Sequence, residues 1–166
     1  IGSPTVENTI VSLANMLNEG LVIEHTQRLV PLMHTSEPIK LKHIQQGDAV
    51  VAFSRKEVLK IAQSLASRGY SVATIYGALS PEVRKLQVHK FITGSANVVV
   101  ATDAIGMGLN LPIKRVIFSA DSKYDGERVR KLKRTECVQI AGRAGRFLFG
   151  EIGEYAGVNL EIHRHV

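Results

Sequence analysis

The sequence predicts an α/β fold in which a parallel sheet is covered by helices on both faces. Two of its strands carry most of that prediction. "AVVAF" (Ala49 to Phe53) and "NVVVA" (Asn97 to Ala101) are apolar throughout, or nearly so, as strands buried on both faces must be; a sheet with one wet face would alternate. The third observation is the order of elements. Strand-like runs alternate with stretches of helical periodicity, and a strand, helix, strand order makes neighbouring strands parallel.

The elements follow in order. In "SPTVENTIVSLANMLNEG", Ser3 and Pro4 suit the N-cap and first helical position, Val6, Ile10, Leu13 and Leu17 recur at helical spacing, and Gly20 is the expected stop. "LVIEHTQRLVPL" reads as extended chain, and residues 35 to 48, with Pro38, Gly47 and Asp48, as a connection. After the first apolar strand, Ser54 and Glu57 form a capping box for a helix with Val58, Ile61, Ala62 and Leu65 on one face and Gly69 at its end. "YSVATIY" is the next strand. Ser80 and Pro81 open a helix that runs to about Thr93, "NVVVA" follows, and "RVIFSA" (Arg115 to Ala120) is a further strand.

Composition narrows the function. With 166 residues, 45% of them hydrophobic, the chain can bury one proper core, and no apolar run approaches the roughly eighteen residues of a membrane span. Cys137 is the single cysteine, and the six histidines are scattered apart from His163 and His165, which have no third ligand nearby, so neither a disulfide scaffold nor a metal site is expected. The net charge of +6 is concentrated between Lys114 and Arg134, where eight basic residues face three acidic ones. That segment is either a solvated loop or a surface for a polyanion such as nucleic acid.

In a parallel sheet, ligands gather at the carboxyl ends of the strands. Those ends carry Ser54 and Arg55, Gly77, and Thr102 to Asn110, and to them is added "QIAGRAGR" (Gln139 to Arg146). With Thr135 as N-cap and Glu136 in the first turn, a helix continuing through Arg146 would place Gln139, Arg143 and Arg146 within roughly 60° of one another. Gly142 and Gly145 would each cost that helix about 1 kcal/mol relative to alanine, a cost that close approach to a polyanion would justify. Guanidinium groups bind phosphate through paired hydrogen bonds; the alternative is an ordinary helix end with two arginines. In "VVVATDAIGMGLN", a hydroxyl at Thr102 and backbone N–H groups freed by Gly106 and Gly108 could meet a phosphate, or the stretch could be a turn capped by Asp103 or Asn110.

Taken in order, "FSR" (Phe53 to Arg55), "YGALSPEVR" (Tyr76 to Arg84), "VVVATDAIGMGLNLP" and "QIAGRAGR" resemble motifs IV, IVa, V and VI of superfamily 2 DExH-type RNA helicases, all from the second RecA-like domain. "RLVPL" (Arg28 to Leu32), "GDAVVAFSRKEV" and "KYDGE" (Lys123 to Glu127) are similar to the suppressor-of-Var type helicases of the mitochondrial RNA degradosome and their bacterial relatives. The resemblance covers most of residues 25 to 150. It implies a RecA-like sheet over residues 25 to 166, with residues 1 to 24 as the tail of a preceding domain or a linker.

The resemblance also implies roles. Gln139 would position the γ-phosphate of ATP or the attacking water. Arg143 and Arg146 would bind the phosphates, one as an arginine finger, with Gly106, Met107 and Asn110 beside the nucleotide. Thr102, with Asp103 next to it, would meet an RNA phosphate, and Ser54, Arg55 and the backbone at Gly77 and Ala78 would line a track for single-stranded RNA. The implied partners are that strand, the first RecA-like domain and an exoribonuclease, with no membrane; the implied location is mitochondrial for a eukaryotic source and cytoplasmic for a bacterial one.

The sequence contains no Gly-x-x-x-x-Gly-Lys-Ser/Thr phosphate loop and no Asp-Glu-x-His or Asp-Glu-Ala-Asp string. Magnesium is therefore expected on a first domain outside these residues, and the chain by itself is expected to lack ATPase activity. Two other readings stay open at this point: a nucleic-acid-binding module without chemistry, and the second lobe of a DNA helicase, whose motif V and VI strings are similar.

Overall fold

The structure, a computed structural model, describes residues 6–24, 31–35, 37–106, 109–145 and 152–158. Eight strands occur among them: β1 (Leu32–His34), β2 (Asp48–Val51), β3 (Val72–Ile75), β4 (Val98–Ala101), β5 (Arg115–Phe118), β6 (Ser122–Tyr124), β7 (Val129–Lys131) and β8 (Gly153–Gly157). Six form one sheet in the order β1-β8-β5-β2-β4-β3, every pairing parallel, while β6 and β7 make a separate antiparallel hairpin. The helices are α1 (Glu7–Leu17), α2 (Arg55–Ala66), α3 (Pro81–Ile92) and α4 (Arg134–Ala141).

Side-chain alternation on the central strands builds two cores. Ala49 and Val51 of β2, Val99 and Ala101 of β4, and Val116 and Phe118 of β5 face Phe91 of α3 and Cys137, Ile140 and Ala141 of α4. Their neighbours Val50, Val98, Val100 and Ile117 face Val58, Ile61, Ala62 and Leu65 of α2. Each fully buried aliphatic side chain contributes about 1.5–3 kcal/mol relative to exposure, so the sheet is held from both sides, as predicted. β2 and β4 are buried at every residue because they lie inside the sheet, whereas β3, at its edge, alternates between half-buried and buried.

The predicted caps form. Ser54 Oγ accepts the Glu57 N–H at 3.2 Å, and Ser80 Oγ accepts the Val83 N–H at 3.3 Å with Pro81 in the first helical turn. From β2 the chain crosses through α2 to β3, then returns through α3 to β4, so the carboxyl ends of β2, β4 and β3 lie side by side. At the opposite end of the sheet, Asp48, only 1% exposed, accepts Arg115 Nε at 2.8 Å and Nη2 at 2.6 Å, and the Gln45 N–H at 2.7 Å. Asp48 and Arg115 are register partners, so this ion pair pins β2 to β5 and raises the Arg115 pKa, chiefly through the Asp48 hydrogen bond.

Several expectations need correction. α1 starts at Glu7, the predicted cap at Ser3 and Pro4 lies outside the described residues, and the apolar side of α1 buries nothing, with Leu13, Met16 and Leu17 exposed. Of the extended stretch from Leu21 to Leu32, residues 25–30 lie outside the described residues, and the strand recorded beside them is β1, starting at Leu32. β8 was not anticipated. α4 starts at Arg134, so Lys133 and not Thr135 is the N-cap, with Glu136 in the third helical position, where its carboxylate accepts the Lys133 N–H at 2.8 Å.

Candidate functional site

Three adjacent strand ends build the first part of the site. Val51, Ala101 and Ile75 are in register, and the Ala52 N–H donates to the Ala101 carbonyl and the Thr102 N–H to the Ile75 carbonyl, each at 2.9 Å. This brings Ser54 and Arg55, Thr102, and Gly77 and Ala78 to one edge. Ser54 caps α2, and the exposed Arg55 guanidinium lies over the Tyr76 ring, 5.4 Å from its centroid, spanning the end of β4. Gly77 and Ala78 are exposed, and Arg84 of α3 holds their loop, its Nη2 donating to the Tyr76 and Gly77 carbonyls at 3.3 Å each. "YGALSPEVR" contained Arg84, but no sequence signal separated it from a surface arginine.

The second part joins motif V to motif VI. Residues Asp103–Gly106 form a 3-10 turn that starts with the Ile105 N–H on the Thr102 carbonyl at 3.0 Å. Gly106 backs onto α4, where an added Cβ would lie 3.6 Å from Gln139 Cγ and from Ile140 Cγ1. Arg143 reaches back to the same loop: Nη1 donates to the Leu109 carbonyl at 3.3 Å, and Nη2 donates to the Gly106 carbonyl. Gln139 and Asn110 are exposed, while Thr102, Asp103 and Arg143 are partly buried. Met107 and Arg146 lie outside the described residues.

The expected continuous helix through Arg146 does not form. α4 ends at Ala141 and tightens, with the Arg143 N–H on the Ile140 carbonyl at 3.1 Å and the Ala144 N–H on the Ala141 carbonyl at 3.0 Å. Gly145 then takes φ +71°, and its N–H donates to the Ile113 carbonyl at 2.7 Å. A glycine in the left-handed region ends the helix and turns the chain, so Gly145 is there for its backbone freedom and is not a helix-interior residue. Arg143 accordingly lies beyond the helical face that carries Gln139.

Part of the basic segment is paired: Lys123 and Arg130 meet carboxylates, while Arg128, Lys133 and Arg134 are exposed. Lys123 Nζ lies 2.9 Å from Asp103 Oδ2 and 2.9 Å from Glu136 Oε1. Arg130 donates Nη1 and Nη2 to the two oxygens of Glu136 at 2.9 Å each, and its Nε lies 3.3 Å from Asp125. These donors, Arg130 first, hold the Glu136 carboxyl far below the ordinary carboxylate range, and the Glu136 hydrogen bond raises the Lys123 pKa. The pairing of Lys123, Arg130 and Glu136 beside the site was missed because net charge counts charges without revealing which are paired. Among the described residues, no group of three or more His, Cys, Asp or Glu side chains could hold a metal ion.

The model of the helicase conserved C-terminal domain matches residues 16–148. The chain belongs to that helicase C-terminal domain family. Over 149 residues it is 41% identical to the mitochondrial ATP-dependent RNA helicase SUV3 of Saccharomyces cerevisiae, covering 88% of this chain and 20% of that protein. It is 38% identical over 150 residues to the mitochondrial DExH-box ATP-dependent RNA helicase DExH18 of Arabidopsis thaliana, covering 87% and 19% of the two. The chain thus spans about a fifth of the length of these relatives. The solved C-terminal domain of the DEAD-box protein Dbp5 superposes with a TM-score of 0.61 at 16% identity, covering 82% of this chain and 79% of that one, which shows that the two share a RecA-like fold. The resemblance read from motifs IV to VI is borne out at this level.

Proposed function

We propose that this lobe is the C-terminal half of an ATP-dependent RNA helicase motor. In this reading Gln139, Arg143 and Arg146 complete an ATP site that a first RecA-like domain opens, with Gly106, Met107 and Asn110 beside the nucleotide. Ser54, Arg55, Gly77, Ala78, Thr102 and Asp103 grip a single strand of RNA. The observation that carries the reading is the pair of Arg143 hydrogen bonds to the Gly106 and Leu109 carbonyls, which join the nucleotide-facing motif VI to the motif V loop that follows Thr102. The relatives named as ATP-dependent RNA helicases support it.

The donor set suits a triphosphate. A guanidinium and a carboxamide converge near one loop, and Asp103, the carboxylate of that loop, has its charge offset by Lys123 at 2.9 Å. ATP would supply the phosphoryl-transfer chemistry, with magnesium held by the first domain. A guanidinium forks onto phosphate oxygens through paired hydrogen bonds, so nucleotide would draw Arg143, which donates to the Gly106 and Leu109 carbonyls, towards its phosphates. Gln139, exposed on α4, would orient the γ-phosphate or the water. Separation and closure of the two lobes would then move the two phosphate-gripping surfaces along the strand.

The same reading assigns residues 1–24 to the tail of a preceding domain or a linker, which the uncovered apolar side of α1 supports. It also includes an exoribonuclease partner and a mitochondrial location, or a cytoplasmic one for a bacterial source. Duplex unwinding by a protein carrying both lobes, on matched RNA and DNA substrates with and without ATP, tests it. ATP-dependent opening of the RNA duplex is expected. Preference for DNA would make this a DNA helicase lobe, and nucleic-acid binding indifferent to nucleotide would make it a binding module.

A further inference from the structure

The β6–β7 hairpin is tied into the site from both sides by one side chain. Lys123 of β6 places its ammonium 2.9 Å from Asp103, in the turn that follows Thr102, and 2.9 Å from Glu136, in the first turn of the helix that carries Gln139. Glu136 is fixed in turn by Arg130 of β7 and by the Lys133 N–H. Asp125, which Arg130 also meets, accepts the Glu127 and Arg128 N–H groups at 3.1 and 3.0 Å and sets the hairpin turn. The chain of charges therefore runs Asp103, Lys123, Glu136, Arg130, Asp125, alternating in sign throughout.

An isolated surface ion pair does little, but this one is partly buried and networked, with Lys123, Glu136 and Arg130 side chains 20%, 22% and 23% exposed. Its geometry also has a sign. Asp103 and Glu136 are both negative and both touch the same ammonium; without it, the charge link between the motif V turn and α4 is broken, and a shift of one is no longer passed to the other. The Arg143 donors reach the Gly106 carbonyl, which closes this turn, and the Leu109 carbonyl beyond it, so a displacement of the turn by RNA would be passed on to Arg143.

We propose that Lys123 is a positioning residue that couples RNA occupancy at Thr102 to the nucleotide-facing residues Gln139 and Arg143, by holding the motif V turn and the motif VI helix at one spacing. This rests on the reading that RNA and ATP meet the lobe at these two motifs. RNA that shifts the Thr102 turn moves Asp103, and through Lys123 and Glu136 moves the start of α4. Lys123 touches neither ligand in this account; it transmits.

The test uses a protein carrying both lobes, as wild type, K123A and K123R, with ATP turnover measured with and without single-stranded RNA. For K123A, the RNA-stimulated kcat is expected to fall about tenfold, in the range of coupling between two sites. Its RNA-free turnover is expected to stay within about twofold of wild type, because no group in the nucleotide site is removed. K123R, which can still bridge two carboxylates, should recover most of the stimulation. Full stimulation in K123A would overturn the proposal, and so would an equal loss of basal and stimulated rates with a lowered Tm, which marks a plain structural brace. A wild-type protein that RNA does not stimulate at all would instead remove the underlying reading, and the proposal with it.

Discussion

Arg143 is hydrogen-bonded to the loop that contains Gly106: its guanidinium donates to the Gly106 carbonyl and, through Nη1 at 3.3 Å, to the Leu109 carbonyl. A helix C-terminal segment and a strand-end loop more than thirty residues apart in sequence are thereby joined at the point where the family's motifs V and VI meet. In the proposed ATP site the guanidinium would bind phosphate oxygens through two parallel donors, and an ammonium lacks that fork. Both Arg143→Ala and Arg143→Lys should therefore lower RNA-stimulated kcat in a two-lobe protein by about 10³-fold, the scale of an arginine finger. Steady-state ATPase assays check this, and a lysine variant near wild-type rate would remove the role given to the fork.

Gly145→Ala should destabilise the chain by about 1–2 kcal/mol, because φ +71° brings an L-residue's Cβ against the following carbonyl. Urea denaturation followed by circular dichroism measures it. An unchanged midpoint would mean that the turn relaxes without cost.

Asp48→Ala removes the partner of an Arg115 side chain that is 15% exposed and held at 2.6 Å. Leaving a mostly buried charge unpaired costs about 3–5 kcal/mol, so this variant should be among the least stable at the far end of the sheet from the site. The same denaturation experiment tests it, and a loss below 1 kcal/mol would mark the pair as a surface contact in energetic terms.

Acid should loosen the hairpin from α4. The Glu136 carboxyl, held low first by Arg130 and then by Lys123, has a folded pKa below its ordinary value of 4.5. A depressed acid contributes stability that is fully present above its unfolded pKa and is lost as the pH falls from there towards the folded pKa. Stability should decline as the pH drops below about 4.5, and Glu136→Gln should be less stable at neutral pH while showing a shallower decline. Thermal melts from pH 3 to 7 decide it; identical pH slopes for the two proteins would contradict the assignment.

The legible parts of the fold were those where burial is written continuously along the chain. The apolar runs of β2 and β4 marked central strands, and Ser54 and Ser80 marked helix starts because a side-chain cap is a local bond. β8 escaped because "GEYAG" is rich in small residues, and its burial comes from β1 and β5 on either side, contacts distant in sequence. At the site, each strand end was located correctly, yet the helical face expected for Gln139, Arg143 and Arg146 stops with α4 at Ala141, and Gly145, with its left-handed backbone, then turns the chain away from what a period of 3.6 would continue. The Asp103–Lys123–Glu136 bridge was illegible for a related reason: like the Asp48–Arg115 pair, it is made by folding and not by spacing.

Gln139 and Arg143 are proposed as half of an ATP site, with the other half on a first RecA-like domain. The most direct measurement is RNA-stimulated ATP hydrolysis by this chain alone, beside a protein in which the first lobe is joined to it, each as wild type and as Arg143→Ala. The account predicts no turnover by the chain alone, stimulated turnover by the two-lobe protein, and its loss with Arg143→Ala. Robust hydrolysis by the chain alone, or two-lobe turnover indifferent to Arg143, would contradict it.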